Sequence, residues 1–381
     1  MTQFSIQRYS ILFGAALLAL PMASLPAWGQ QADKTEQKPA AEAANTSARS
    51  EALAAPEAPA ASEAAPAPAI PPPPKRGTLS FLLENDLFTN TDRHYTNGVH
   101  MSWLTAPEGQ PGGTPGWAAE AARMLPLLEK SPDIRVELAL GQSMYTPRDI
   151  TLVNPPPEDR PYAGWLYGTL GVIADTERHL DQVQIGLGIV GPASLAEQSQ
   201  KTVHEIINSR EPKGWDSQLK TEPTLQFTYQ RSWRHRSKQA ILGLDFDAVP
   251  HAGVNLGNAL TYANSGVMLR VGHNIPVDYG PPRVQPSLPG SGYFQPTGPW
   301  GFYLFAGVDG RAVGRNMFLD GNTFADSRSV DKKTFVGDLQ FGAALYISNV
   351  RFAYTHVVRS REFETQEQAD RFGALSVSMQ F

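Results

Sequence analysis

The chain has no cysteine among its 381 residues. That excludes disulfide staples, thiolate metal sites and a cysteine nucleophile, and it suits an exported protein that folds without cross-links. Positive charge is not in excess either. Lys and Arg number 32 against 37 Asp and Glu, a formal net charge of −5, so no nucleic-acid partner is expected. Past the amino-terminal stretch, no apolar run reaches the ~18 residues that mark a membrane-crossing helix. A Gly-x-Ser-x-Gly elbow is also missing, which leaves a serine hydrolase of that design without its nucleophile. If this chain crosses a membrane, strands must do it, and only a closed barrel satisfies every backbone group in lipid.

What is present divides the chain in three. Arg8 precedes an apolar stretch over 11–27, interrupted by Pro21 and Pro26 and followed by polar sequence. This is the plan of a secretory signal peptide, expected over 1–30. Residues 31–75 are mostly Ala, Pro, Glu and Ser and end in Pro71-Pro72-Pro73-Pro74. Such a segment buries too little apolar surface to offset its ordering entropy, so a disordered linker is expected. From 76 to 381 a two-residue period takes over. Strands are expected near 77–88, 95–105, 134–146, 161–176, 180–191, 221–236, 238–253, 260–274, 299–313, 333–348, 349–362 and 370–381. In the last of these, Leu375, Val377, Met379 and Phe381 take one face and Ser376, Ser378 and Gln380 the other. A strand apolar on one side and ending bare invites aggregation unless it pairs back onto the first strand of a ring. Trp165, Tyr167, Trp300 and Phe302 are expected in an interfacial aromatic belt. The fold class is therefore all-β: a 12-stranded antiparallel transmembrane β-barrel, expected as a monomer in the cell outer membrane.

Topology assigns sides. With the first strand starting in the periplasm, the tight connections at 177–179, 237 and 348–349 face inward, and those at 147–160, 191–220 and 314–332 are long and external. Two segments, 106–133 with a helical stretch over 117–128 and the Gly/Pro-rich 276–298, would be unusually long periplasmic loops. Polar motifs gather at the outer ends. Glu84-Asn85-Asp86 closes the first strand and Tyr95-Thr96-Asn97-Gly98 opens the second. Arg148 and the run Asp159-Arg160-Pro161-Tyr162-Ala163-Gly164 lie around the next external loop. A rim helix is expected from about 195 to 208. Ser194 would cap it with Glu197 in capping-box spacing, Gln200 and His204 would share a face, and Val203, Ile206 and Ile207 would pack. A histidine is suited to general-base work near neutral pH. Asp86 with Asn85 and backbone oxygens suits a hard cation such as calcium. Taken singly, each has a plainer reading: a surface histidine, and a polar hairpin end.

Read in order, Glu84-Asn85-Asp86, Tyr95-Thr96-x-Gly98, Asp159-Arg160-x-Tyr162 and Gly188-x-x-Gly191-Pro192, followed by Gln200-x-x-x-His204-x-Ile206-Ile207, resemble the outer-membrane lipid A 3′-O-deacylases, the LpxR family. The resemblance runs from about residue 77 to the end. It implies a twelve-stranded barrel that hydrolyses the 3′-linked acyloxyacyl ester of lipid A at the extracellular rim, with calcium. It further implies His204 as general base with Gln200 beside it, and Asn85, Asp86 and Thr96 as the polar part of the site, Asp86 nearest the metal. His204 would deprotonate a water for attack on the ester carbonyl. The chain departs from the family pattern twice. A Lys-Arg pair suited to lipid phosphates is replaced by Asp149-Ile150-Thr151-Leu152-Val153-Asn154, leaving Arg148 and Arg160 as the nearby bases for substrate binding. A glutamate after the histidine is matched by Arg210, with Glu211 next to it on the extended helical stripe.

Two other readings compete. One is a non-enzymatic barrel, either a pore or an inactive lipopolysaccharide binder, which the absent basic pair favours. The other is a serine-dependent phospholipase using His100 and Ser102, which share a strand face but have no evident third partner.

Overall fold

The computed structural model describes residues 75–86, 94–128, 130–176, 178–237, 243–283 and 292–381. The expected signal segment, the linker and the tip of the first hairpin lie outside these residues. Twelve strands follow in order: β1 (Thr78–Asn85), β2 (His94–Leu104), β3 (Asp133–Thr146), β4 (Ala163–Asp175), β5 (His179–Val190), β6 (Glu222–Trp233, resumed by His235–Arg236), β7 (Asp245–Gly257), β8 (Leu260–His273), β9 (Trp300–Asn316), β10 (Phe335–Ile347), β11 (Val350–Arg359) and β12 (Asp370–Gln380). Each pairs antiparallel with the next, β6 joining β7 from Gln226↔Gly257 to Ser232↔His251. The ring closes where β12 returns to β1, from Thr78↔Gln380 to Asn85↔Gly373. Closure leaves no unpaired edge, which is the condition for crossing lipid. Among the described residues no helix is long and apolar enough to cross a membrane.

The two faces are chemically opposite. On β12, Leu375, Met379 and Phe381 are exposed outward while Ser376, Ser378 and Gln380 are buried inward. The lumen holds ion pairs such as Arg270–Asp247, Arg311–Asp338 and Arg359–Asp338, charges tolerable there because each meets a partner. Outward aromatics gather near the rim where β1 begins and β12 ends: Trp103 stacks with Phe381 and Trp300 with Phe302. Trp165 and Tyr167, expected in the same belt, instead point inward and join an aromatic core. Their strand keeps its alternation but in the opposite phase, because Gly164, Leu166, Gly168 and Leu170 face outward.

Both long connections at the rim where β1 begins differ from free loops. Residues 274–283 and 292–299 fold back into the lumen, where Ile275, Tyr279, Tyr293 and Phe294 are buried. The Tyr279 and Tyr293 hydroxyls donate to Asp175 at 2.8 and 2.7 Å, and Asp278 accepts from Arg351 at 2.6 Å. Segment 105–132 carries α1 (Gly116–Arg123), shorter than expected, which packs against wall residues. The strand expected from 238 starts at Asp245 instead, and residues 238–242 of the connection expected to be tight at 237 lie outside the described residues.

At the opposite rim, α2 (Ala196–Ile207) follows β5 and α3 (Met317–Asp320) follows β9. Met317, Phe318 and Leu319 of α3 are buried and close the lumen top with Tyr145, Trp165 and Tyr262. Groups fold in from both ends of the barrel, with a cavity of about 70 Å³ between, lined by His100, Ser102, Glu137, Trp165 and Arg283 among others.

Candidate active site at the loop-rich rim

Helix α2 is amphipathic in reverse. Its buried stripe is Ala196, Gln200 and His204, three residues at four-residue spacing, whereas Val203 and Ile206 are exposed. The expected packing side thus faces away from the barrel, and the polar pair faces in. Capping differs too. Leu195, in a left-handed conformation, occupies the N-cap, and Ser194 donates to the Gly191 carbonyl at 2.6 Å within a short turn. Glu197 pairs with Lys201 at 2.7 Å instead of closing a capping box.

Around His204 the chemistry is defined. Its Nδ1 lies 2.5 Å from the Arg210 carbonyl oxygen, an acceptor only, so Nδ1 carries the proton and Nε2 keeps the lone pair. The helix stops at Ile207 and Asn208 turns left-handed, which puts the Arg210 carbonyl, not the Glu211 carboxylate, on the imidazole. One turn earlier, Gln200 accepts from Trp215 Nε1 at 2.7 Å. Indole is a donor only, which fixes the amide orientation. The Gln200 Nε2 is therefore the other end, buried without a hydrogen-bond partner among the described residues. A buried donor and a lone-pair imidazole nitrogen thus share one stripe. Trp215 is fully buried against Tyr162, Met144 and Ala196. It was not legible as a site residue, although a lone Trp between Lys213 and Asp216 is a signal that something covers it.

The register shows how the rest of the cluster is placed. Asn85 faces Asn97 across β1–β2, Asn97 faces Met144 across β2–β3, and Met144 faces Gly164 across β3–β4. Gly164 carries the start of α2: a Cβ there would collide with Ala196 Cβ and Ser194 Oγ. Three interstrand steps, about 14 Å, separate the Asn85 strand from the strand beneath the helix. Thr96 sits at a bulge between Tyr95 and Asn97, and its hydroxyl meets Thr146 at 2.7 Å. Asp86 is a buried carboxylate just past β1. Behind it Glu84 accepts from the Tyr95 hydroxyl at 2.9 Å and from Arg283 Nε at 2.6 Å. A Gly164→Val chain should form its barrel but lift α2, lowering any activity that needs His204 by at least about tenfold; turnover beside gel heat-modifiability checks this.

The two candidate bases differ. Arg148 is exposed and pairs with Glu367 at 2.6 Å, a contact that raises its pKa. Arg160 is fully buried over the Tyr145 ring, 3.5 Å from Glu362. Its guanidinium has no exposed surface among the described residues. For calcium, Asp86 and the half-buried Asn85 offer oxygen donors of the right kind. No group of three His, Asp or Glu gathers among the described residues, fewer than the 6–8 oxygens calcium takes unless backbone and amide oxygens complete the set.

A closed antiparallel ring with an apolar outer wall and a polar, largely filled lumen defines an outer-membrane β-barrel. The chain belongs to the LpxR family: the model described as "Outer membrane protein LpxR" matches residues 50–381. It is located in the outer membrane. Among solved structures it is similar to LpxR from Salmonella typhimurium, with TM-score 0.64 and 19% identity over 80% of this chain and 100% of that one. The β-domain of the Bordetella autotransporter BrkA aligns at TM-score 0.40 and 10% identity, over 80% of this chain and 99% of that one. A comparison with curated proteins gives no match.

Proposed function

We propose that the chain is a lipid A 3′-O-deacylase acting at the extracellular rim, with His204 as general base. The observation that carries this reading is the contact of His204 Nδ1 with the Arg210 carbonyl. With Nδ1–H held by the Arg210 carbonyl at 2.5 Å, Nε2 accepts a proton from a water as that water attacks the ester carbonyl, and returns it to the sugar oxygen as the acyl C–O bond breaks and the acyloxyacyl acid leaves. The Gln200 Nε2, a buried donor in need of an acceptor, is suited to the developing oxyanion, as hydrogen-bond donors aimed at that charge are. Asn85 and Thr96 supply further polar contacts from β1 and β2. The Arg148–Glu367 pair is exposed on both sides; such pairs hold weakly, so Arg148 is free to exchange Glu367 for a lipid phosphate. Outward-facing Val203 and Ile206 give the helix an apolar side for acyl chains.

Asp86 and Asn85 are the residues that would hold calcium, which when bound polarises a carbonyl as a Lewis acid. Purified protein mixed with lipid A should release the 3′-linked acyloxyacyl group, detected by mass spectrometry. Chelation should cut the rate by about 100-fold or more, with recovery on adding calcium. Undiminished turnover in chelator would remove the metal from the reading, and no release under any condition would remove the enzyme.

The filled lumen disfavours a pore. His100 and Ser102 line the lumen cavity together with Glu137, on the inner side of the wall, which gives the serine phospholipase reading no support from the outward-facing helix α2.

A further inference from the structure

Helix α1 lies where a periplasmic loop would not put it. Its Ala119 and Ala122 pack, with Leu128, on Ile134 of β3, Ala174 of β4 and Val183 of β5. These wall residues share outward parity with Leu138, Leu170 and Ile185, which are 48, 54 and 51% exposed. The helix is therefore strapped across the outside of the barrel rather than over its mouth.

Depth follows from the strands beneath. Outward positions on β5 run from the exposed Leu187 and Ile185 through Val183, covered by α1, to Asp181. Asp181 faces Arg231 in register and accepts from its Nε and Nη2 at 2.6 and 2.7 Å, and from the Tyr229 hydroxyl at 3.0 Å. An ion pair topped by a tyrosine on the outer wall marks where hydrocarbon gives way to headgroups. Helix α1 crosses the wall at that step. Its free side presents Trp117 and Met124, 77 and 80% exposed, and the turn after it presents Leu125 and Leu127. The Arg123–Glu108 ion pair at 2.7 Å stands beside them, a polar flank next to an apolar one. The apolar surface continues the lipid-facing band, and that continuity identifies its occupant.

We infer that α1 and the turn to Leu128 form an interfacial anchor, lying in the headgroup–acyl boundary of the leaflet nearer the rim where β1 begins and covered by its phospholipid. The same stave reaches the other rim, where β3 and β4 contact α2. The anchor therefore sets how far the wall beneath His204 stands out of the bilayer. This inference stands whether or not the protein is a deacylase.

The absence of cysteine makes the test clean. Single variants Trp117→Cys, Met124→Cys and Leu127→Cys in the full chain, spin-labelled in phosphatidylethanolamine/phosphatidylglycerol vesicles, are compared with Leu138→Cys in the band and Arg236→Cys beyond it. Collisions with oxygen should exceed those with a water-soluble nickel chelate several-fold more than at 236, with depths between the two references. Labels matching the aqueous reference would overturn the anchor, as would dipolar coupling between copies, which would assign the surface to a second chain. A second measurement leaves the backbone untouched. Phospholipid brominated high on its acyl chains should quench the emission that Trp117→Phe removes, and emission from Trp117 that is indifferent to bromine would equally overturn it.

Discussion

Replacing His204 with alanine is expected to lower lipid A deacylation by about 10³-fold, within the range for a lost general base, while the barrel stays heat-modifiable and inserted. The separation of activity from folding follows from where His204 sits. It lies on a rim helix whose contacts are with β3 and β4 ends and loop residues, outside the closed ring of hydrogen bonds that holds the wall together. His204→Gln should be nearly as inactive, since an amide offers no basic nitrogen, so a large residual rate in either variant would assign the base elsewhere. Gln200→Leu tests the neighbouring role. It should reduce kcat more than KM if its amide meets charge that develops only in the transition state.

The second large effect is on stability. Arg283, on the segment folded into the lumen, donates to Glu84 at 2.6 Å and to Gln340 at 2.9 Å, and both members of the Arg283–Glu84 pair are about 1% exposed. Arg283→Met would break the buried Arg283–Glu84 pair from one side, a change that costs about 3–5 kcal/mol. Denaturant unfolding in lipid vesicles should show that loss. The double variant Glu84→Gln with Arg283→Met should recover most of it, because the new amide keeps an acceptor for the Tyr95 hydroxyl and no charge is stranded. A double variant as unstable as the two singles combined would mean that the pair is not coupled. Since Glu84 directly precedes Asn85 and Asp86, the single variant should also disturb the rim site.

Much of the ring was readable because the period-two pattern is a local consequence of strand geometry. The split of Leu375, Val377 and Met379 from Ser376, Ser378 and Gln380 holds along β12, with Val377 half-buried, and Phe381 just past it continues the outward face. Parity alone does not say which face is which, however. Trp165 and Tyr167 alternate as well as Trp300 and Phe302 do, yet the first pair fills the lumen and the second meets lipid, because glycine and leucine at 164, 166, 168 and 170 leave the outer side of β4 to smaller and aliphatic groups. The same ambiguity reversed the reading of α2. Val203 and Ile206 would face a core in a water-soluble protein, but beside a membrane the apolar side turns outward and the polar stripe of Gln200 and His204 is the buried one.

The inward-folded segment was invisible for another reason. Gly and Pro residues in 276–298 read as a loop, and nothing local announces that Tyr279 and Tyr293 will find Asp175 more than a hundred residues away. Site residues separate in the same way. His204, Gln200 and Thr96 stand in motifs that the sequence offers, whereas their partners, the Arg210 carbonyl, Trp215 and Thr146 respectively, come from turns and register that no short pattern encodes.

The mass spectrum of lipid A from cells producing this chain, set beside that from cells producing His204→Ala, is decisive for the deacylase reading. The 3′-linked acyloxyacyl mass should disappear only with the unaltered chain, with both proteins present in the outer membrane in equal amounts. Identical spectra from the two strains would contradict it.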